Sequence, residues 1–256
     1  MTPESICRFV YRTFTFLGFV IQCRGIHRSC GKHGRGGYVL RKLGIGLLLM
    51  GSAVGLTACN NASPEEQVYN HLEEAISLES GYVEQQDSLT DLEKKEQDLY
   101  NEILQYGEDE LDQIKSKSKE AIDLIRQRKD ALAKEKESLD EAEAEFKKID
   151  SIIDDLESDG AKEKAQTLYD TMEARYNAYD RLHDAYTKAL DEDNALYEMF
   201  QQDDITQDEL TSQIEKINAG YDDIKAANEE FNKHTEAFNE QKQQFYEAAG
   251  LNVENG

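Results

Sequence analysis

One cysteine of this 256-residue chain stands in a pattern that can do covalent chemistry. Cys59 lies just after a glycine-diluted apolar stretch, residues 43–55, and the sequence turns abruptly polar at Asn60. Arg41 and Lys42 place positive charge directly before that stretch, which is too short to span a bilayer. A charged start followed by a short apolar run is typical of a secretion signal. The alternative interpretation is a buried helix that ends in cysteine. It explains neither the positive charges before the apolar stretch nor the change to polar residues at Asn60.

Four residues resemble the lipobox of bacterial lipoproteins: Leu56, Thr57, Ala58 and Cys59. In that class of protein a diacylglycerol is attached to the thiol, and a signal peptidase cuts between the positions held here by Ala58 and Cys59. Each buried methylene contributes about 0.8 kcal/mol, so two acyl chains hold a protein on a membrane almost permanently. We therefore expect residues 39–58 to be a signal peptide and residues 59–62 a lipidated tether. The expected location is the extracytoplasmic face of the cell membrane.

The segment before this signal, residues 1–38, has a different composition from the rest of the chain. It holds three of the four cysteines and five arginines, but a single acidic residue, Glu4. We expect that it is not part of the native protein and reflects a misassigned start codon, with initiation at Val39 or Leu40. A purine-rich ribosome-binding sequence ahead of either codon in the genomic DNA would support this.

An alternative role for the first segment is zinc binding, because it contains four residues of the right types: Cys23, His27, Cys30 and His33. Their spacing matches no zinc-finger pattern, and the segment precedes the expected cleavage point. We expect no metal and no cofactor.

The charge of the chain limits its partners. The formal net charge is −24; eight of the 29 Lys and Arg but one of the 53 Asp and Glu precede Cys59, so residues 59–256 carry −31. Such a surface repels nucleic acid and anionic lipid headgroups, and we expect neither as a direct partner. Teichoic acids are polyanions and are repelled too unless divalent cations intervene. Peptidoglycan presents both amines and carboxylates, so contact with it is compatible with this charge.

The elements that position these groups are long helices. A capping box with proline at the first helical position begins at Ser63, and a second capping box begins at Thr206. Between them, four segments of about forty to fifty residues keep apolar residues at 3–4 spacing. Short connections favour antiparallel neighbours. We expect an all-α, elongated, antiparallel up-and-down four-helix bundle over residues 63–249 and a flexible tail over 250–256.

An alternative fold is a three-helix, spectrin-like bundle in which the first helix is broken near Gly81 and at Asp87 and Ser88. Glycine is unfavourable inside a helix, which makes that stretch the weakest part of the first segment.

Polar residues replace apolar ones at some positions of the 3–4 rows, and several of these positions lie at similar distances from one end of the expected bundle. Four of them lie 21 or 22 residues from the same end of the expected bundle: Gln85, Glu135, His183 and Asn228. We expect them to form one polar layer on the bundle axis. A second layer is expected from Glu96, Arg128 and Asp193, with an internal ion pair. Polar core residues fix register at some cost in stability. The alternative is a ligand site, in which case His183 and Glu135 are the candidates.

Two further pairs of residues have the spacing of metal ligands, and one row of tyrosines could stack on sugars. His71 and Glu74, and likewise Asp180 and His183, have metal-ligand spacing, but a dinuclear bundle site needs such a pair on two helices with carboxylates from two more. A row of tyrosines in the third segment suits either sugar stacking or core packing, and its coincidence with the apolar positions favours the core. We find no catalytic constellation and expect no enzyme.

Three stretches after the cysteine resemble one protein family: SPEEQVYNHLEEAISLE, EQQDSLTDLEKKEQDLYNEI and RQRKDALAKEKESLDEAEAEF. They are similar to the YkyA-like cell-wall-binding lipoproteins of Gram-positive bacteria, and the likeness covers everything after the lipobox. It implies a helical-bundle lipoprotein outside the cytoplasmic membrane, with no catalytic residues to transfer. The function expected is a non-enzymatic structural or interaction module that contacts the wall or envelope proteins. The alternative is a binding protein or chaperone for a small ligand or secreted polypeptides.

Overall fold

The computed structural model describes residues 62–251, and this part of the chain is helical without strands. Its helices are α1 Pro64–Leu78, α2 Ser80–Ile103, α3 Leu111–Phe146, α4 Asp150–Ile153, α5 Asp159–Met199 and α6 Gln207–Ala248, with 3-10 turns at Glu108–Glu110 and Lys147–Ile149. They form four rods: rod 1 (α1 and α2), rod 2 (α3 to α4), rod 3 (α5) and rod 4 (α6). The expected all-α helical bundle is confirmed.

Contacts at the two ends show that rods 1 and 2 are antiparallel. The Glu157 amide after rod 2 donates to Glu65 Oε1 at the start of rod 1, at 2.8 Å. At the other end, Lys117 Nζ of rod 2 lies 3.0 Å from Glu102 Oε2 of rod 1. α5 has 41 residues and is therefore about 60 Å long at 1.5 Å per residue. No helix in residues 62–251 combines the length and the apolar character needed to cross a membrane.

Rods 3 and 4 form the most extensive contact between two helices. They approach closely where Gly220 faces Ala189, since a methyl group at Gly220 would lie 3.3 Å from Ala189 Cβ. Rod 4 also closes the bundle against rod 1, where the Tyr246 hydroxyl donates to Glu73 Oε1 at 2.5 Å. Small residues thus let rods 3 and 4 approach closely, and a tyrosine links rod 4 to rod 1.

Both predicted capping boxes are confirmed. Ser63 Oγ accepts from the Glu66 amide and Glu66 Oε2 accepts from the Ser63 amide, each at 3.2 Å. Thr206 and Glu209 make the same reciprocal pair at 3.3 and 2.9 Å. These side chains satisfy amides that the first turn of a helix leaves without a partner.

Rod 1 is interrupted at Glu79, and a serine of rod 2 explains why. Ser138 Oγ donates to the Leu78 carbonyl at 2.6 Å and accepts from the Tyr82 amide at 3.1 Å, so it replaces the direct helical bond between them. Gly81 permits the approach, because a Cβ there would lie 2.9 Å from Ser138 Cβ. Both α1 and α2 pack along rod 2, so the three-helix, spectrin-like alternative is wrong.

The apolar core is divided into two clusters along the rods. The Val68 cluster fills one half and includes the fully buried Leu72, Phe146, Met172 and Phe245. The Ile125 cluster fills the other half and includes the fully buried Leu190, Leu196 and Ile217. Each such side chain contributes roughly 1.5–3 kcal/mol on burial. In rod 2, Glu135 lies between the two clusters.

The carboxyl end of rod 4 is closed more tightly than expected. Gly250 adopts φ +67°, the Gly250 amide donates to the Glu247 carbonyl at 3.2 Å, and the Leu251 amide donates to the Tyr246 carbonyl at 3.0 Å. This is a Schellman cap, and Leu251 packs on the Val68 cluster. The start of the flexible tail at residue 250 is therefore corrected, since Gly250 and Leu251 belong to the folded bundle. Residues 252–256 lie outside the described part of the chain.

Candidate functional site

The predicted lipid-attachment site lies outside the described residues, and so does the whole segment before it. Its four members are Leu56, Thr57, Ala58 and Cys59. Lipidation and cleavage there remain predictions from the sequence.

The expected layer of Gln85, Glu135, His183 and Asn228 is wrong in its membership. Glu135 is buried, but it accepts a hydrogen bond from Gln86 and not from Gln85. The other three are partly exposed: Gln85 lines a surface groove, the charged group nearest His183 is Asp184 at 3.7 Å, and Asn228 Oδ1 accepts from a neighbour on its own helix.

Two physical reasons account for this difference. The buried row of rod 1 keeps its 3–4 spacing through the interruption, from Ala75 and Glu79 to Leu89, and Gln86 rather than Gln85 lies on that row beside Glu135. In rods 3 and 4, the rings of Tyr179 and Phe231 fill the axis with their centroids 5.6 Å apart. Both rings are buried, and the partly exposed His183 and Asn228 lie at the flanks.

Glu135 itself is an unusual carboxyl group. Burial raises its pKa to about 7, and the hydrogen bond from Gln86 opposes that rise only in part. The neutral acid is therefore substantially populated near neutral pH, at the boundary between the two apolar clusters.

We predict that Glu135→Gln removes a pH dependence from the stability of the bundle. Between about pH 4.5 and 7 the folded carboxyl binds more protons than the unfolded one, so the free energy of unfolding falls as pH rises through this window. The amide has no such loss, so the variant should gain about 3 kcal/mol over wild type at pH 8 and almost nothing at pH 4.5. Urea unfolding at the two pH values measures this. Glu137→Gln, at an exposed position two residues away, is the control, and an equal gain at both pH values would contradict the prediction.

The second expected layer is confirmed, and it is larger than predicted. Arg128 Nη1 contacts Glu96 Oε2 and lies 3.9 Å from Asp193 Oδ2. Arg128 Nη2 lies 3.2 Å from Glu93 Oε1 and donates to the Tyr186 hydroxyl at 2.8 Å. The Tyr221 hydroxyl donates to Asp193 Oδ2 at 2.9 Å. We call these six residues the Arg128 cluster: Glu93, Glu96, Arg128, Tyr186, Asp193 and Tyr221.

The Arg128 cluster joins all four rods and holds three carboxyl groups around one guanidinium. Burial raises the pKa of Asp193 to about 7, and the negative charge of Glu96 adds to the effect. Burial also raises the pKa of Glu96, although Arg128 opposes this. Both raised pKa values favour a proton on the carboxyl groups of the cluster, and such a proton reduces the uncompensated negative charge in the core.

Sequence reasoning missed a second buried ion pair inside the Val68 half of the bundle. Arg175 Nη1 and Nη2 donate to the two carboxylate oxygens of Glu79 at 2.6 and 2.8 Å, and Arg175 Nε donates to Thr235 Oγ1 at 2.9 Å. The guanidinium also lies 4.9 Å from the ring centroid of Phe231. A signal was present, because Glu79 continues the 3–4 spacing of the buried Leu72 and Ala75.

A polar groove of about 380 Å³ runs along the surface between α2 and α3. Its lining combines two aspartates, two lysines, two amides and a serine over an apolar floor: Gln85, Ser88, Asp91, Leu92, Lys95, Gln127, Asp130, Ala131 and Lys134. Leu92 and Ala131 are buried, whereas the four charged residues are exposed. We call this feature the α2–α3 groove.

Other candidate sites have a structural explanation. In residues 62–251 no three His, Cys, Asp or Glu side chains are placed to share a metal ion. His71 Nδ1 lies 2.6 Å from Glu145 Oε1 of rod 2, and Asp180 pairs with Lys136 at 3.2 Å. Most of the tyrosine row is buried, which agrees with core packing: Tyr169, Tyr176, Tyr179 and Tyr197.

Comparison with known proteins identifies the family. The model of the YkyA family, described as "Putative cell-wall binding lipoprotein", matches residues 63–248, which is the whole four-rod bundle. The chain belongs to the YkyA family. It is 33% identical over 201 residues to the uncharacterized lipoprotein YkyA of Bacillus subtilis strain 168, covering 78% of this chain and 90% of that relative.

The fold of this YkyA-family chain also resembles a solved structure. A crystal structure of a conserved Staphylococcus aureus protein of unknown function superposes with a TM-score of 0.63 and 18% sequence identity. The superposition covers 73% of this chain and 98% of that protein. At this identity the likeness shows a shared fold alone.

Proposed function

We propose that this chain is a lipid-anchored, non-enzymatic module that binds the cell wall from the extracytoplasmic face of the membrane. The observation that carries the proposal is the position of the family match: it begins at residue 63, four residues after a cysteine in a lipobox-like sequence. A tether of that length places the bundle directly at the lipid surface.

The shape and charge of the bundle support a role in contact rather than catalysis. A rod about 60 Å long holds a binding surface well away from the bilayer. The strongly acidic surface disfavours association with polyanions, which leaves polymers that carry amines as the favoured partners. Peptidoglycan is such a polymer.

The alternative role, a chaperone for secreted polypeptides, has little support from the described residues. A clamp for unfolded chains needs a broad apolar surface. Among residues 62–251, the large apolar side chains that are exposed are Val83 and Leu111, on different rods.

We predict that Cys59→Ala abolishes lipid attachment. Without the thiol no diacylglycerol can be attached, so the precursor should remain uncleaved and should incorporate no radiolabelled palmitate in a Gram-positive host. Ser52→Ala, a small change within the apolar stretch that keeps Cys59, is the control and should leave labelling unchanged. Palmitate incorporation by the Cys59 variant would refute the anchor.

Wall binding is tested with the full-length lipoprotein in mild detergent and purified peptidoglycan sacculi stripped of teichoic acid. We expect the protein to sediment with the sacculi at physiological ionic strength. Intact walls that retain teichoic acid should capture less protein at low salt, because the polyanion repels the acidic bundle. Protein that stays in the supernatant with stripped sacculi would overturn the proposed function.

A further inference from the structure

The charges of the α2–α3 groove follow an order set by the register of the two helices. The contacts of Glu96 with Arg128 and of Gln86 with Glu135 fix that register. In this register, four pairs of residues each lie at the same level along the helix axes. The pairs are Lys134 and Ser88, Asp91 and Ala131, Asp130 and Leu92, and Lys95 and Gln127. The two aspartates therefore lie at the middle of the groove, one from each helix. One lysine lies toward each end, and the two lysine levels are about 10 Å apart along the helix axis.

These four charges have no partners of their own. Asp91 and Lys95, and likewise Asp130 and Lys134, have the i,i+4 spacing that commonly gives an ion pair. In residues 62–251 neither pair forms a salt bridge, and none of the four side chains makes a hydrogen bond, although neighbouring surface charges do. Lys94 Nζ lies 2.9 Å from Asp98 Oδ2, and Lys129 Nζ lies 2.5 Å from Asp191 Oδ1. The groove thus presents two free carboxylates and two free ammonium groups to a ligand.

Small side chains explain why the groove is open. Ser88 and Ala131 occupy positions where a long side chain would cover the junction between α2 and α3. Leu92 and Ala131 supply an apolar floor, and Gln85 and Gln127 supply amides that can both donate and accept hydrogen bonds. The volume of about 380 Å³ lies within the usual range for a small ligand, and the mainly polar lining favours a ligand that is itself polar and charged.

We infer that the α2–α3 groove binds a short wall peptide that carries one free amine between two free carboxylates. The inference rests on the proposed function and assigns it a site. The amine lies between Asp91 and Asp130, and the carboxylates pair with Lys95 and Lys134. The amides of Gln85 and Gln127 bond the peptide groups of the ligand. Phosphate polymers are rejected at the same place, because the two central aspartates repel them.

The test measures binding of the full-length lipoprotein in detergent to stripped sacculi and to soluble fragments released from them by a muramidase, which cuts between sugars and adds no amine to the peptide. K95E/K134E should weaken binding to both about tenfold, since each exposed ion pair is worth up to about fivefold in affinity. D91N/D130N should weaken binding by a similar factor. K119E/K233E makes the same change of net charge at two exposed lysines outside the groove and should bind like wild type. N-acetylated peptides and chitin oligosaccharides, which lack the free amine, should not bind.

The outcomes separate the two proposals. If wild type fails to sediment with sacculi, the proposed function and the groove assignment both fail, and no substitution is needed to see it. If wild type binds sacculi and both groove variants bind equally well, the groove assignment alone is overturned. Equal binding of acetylated and free peptides, or binding of chitin oligosaccharides in place of peptides, also overturns it. Circular dichroism of each variant confirms that the bundle is folded.

Discussion

Replacement of Arg128 by methionine should destabilise the bundle by about 3–5 kcal/mol at pH 7.5, because it removes the cation from a buried group of three carboxyls. Arg128 lies within reach of Glu96, Glu93 and Asp193 and is itself buried. For a domain of this size, that loss corresponds to a fall in melting temperature of roughly 10 °C. Thermal and urea unfolding followed by circular dichroism measure it.

The loss should be smaller at lower pH. The pKa of Asp193 is raised to about 7 by burial, so at pH 5.5 this carboxyl is largely neutral and needs the guanidinium less. Arg126→Met, two residues away at an exposed pair with Asp123, should change stability by less than about 1 kcal/mol. E96Q/R128M/D193N should recover most of the lost stability. An Arg128→Met variant as stable as wild type at pH 7.5 would show that the carboxyls are already neutral without it.

The second large effect is expected at Arg175. Its replacement by methionine removes the two short hydrogen bonds of 2.6 and 2.8 Å from the buried Glu79 carboxylate, which keeps only the longer one from Tyr176 at 3.4 Å, and should cost about 3–5 kcal/mol. Glu79 is also the residue at which α1 ends and α2 begins, so the damage should concentrate in rod 1. Hydrogen exchange of the α1 and α2 amides, together with urea unfolding, measures both effects.

A surface pair provides the control for Arg175. Arg181 Nη2 lies 2.7 Å from Glu230 Oε1 in an exposed contact, and Arg181→Met should cost at most about 1 kcal/mol. E79L/R175M removes both buried charges and should be more stable than Arg175→Met alone. If Arg175→Met and Arg181→Met cost the same, the buried pair contributes no more than a surface pair.

Most of the fold could be predicted from the sequence because its determinants are local. The capping boxes at Ser63 and Thr206 and the apolar periodicity each lie within one or two helical turns. The layer of Glu96, Arg128 and Asp193 could also be predicted, since counting residues along antiparallel helices of equal length gives their height. These predictions need no knowledge of how one rod contacts the next.

The rest depends on contacts between rods that no single segment reveals. The insertion of Ser138 into rod 1 is such a contact, and so is the contact of Gln86, rather than Gln85, with Glu135. The pairing of Glu79 with Arg175 across 96 residues is another. The α2–α3 groove was not predicted for the same reason, because its opening depends on small side chains of two different helices meeting at one place.

The division of the core at Glu135 has a consequence for folding cooperativity. Each half of the bundle has its own apolar cluster and its own buried arginine, Arg175 with the Val68 cluster and Arg128 with the Ile125 cluster. A half with a complete core and an internal ion pair can behave as a foldon, which opens and recloses as a unit. The loop ends at 104–110 and 200–206 can then open while the other half, which holds the start of α1 and the end of α6, stays folded. The bundle would thereby tolerate local unfolding at one end without exposing the core of the other end to proteases.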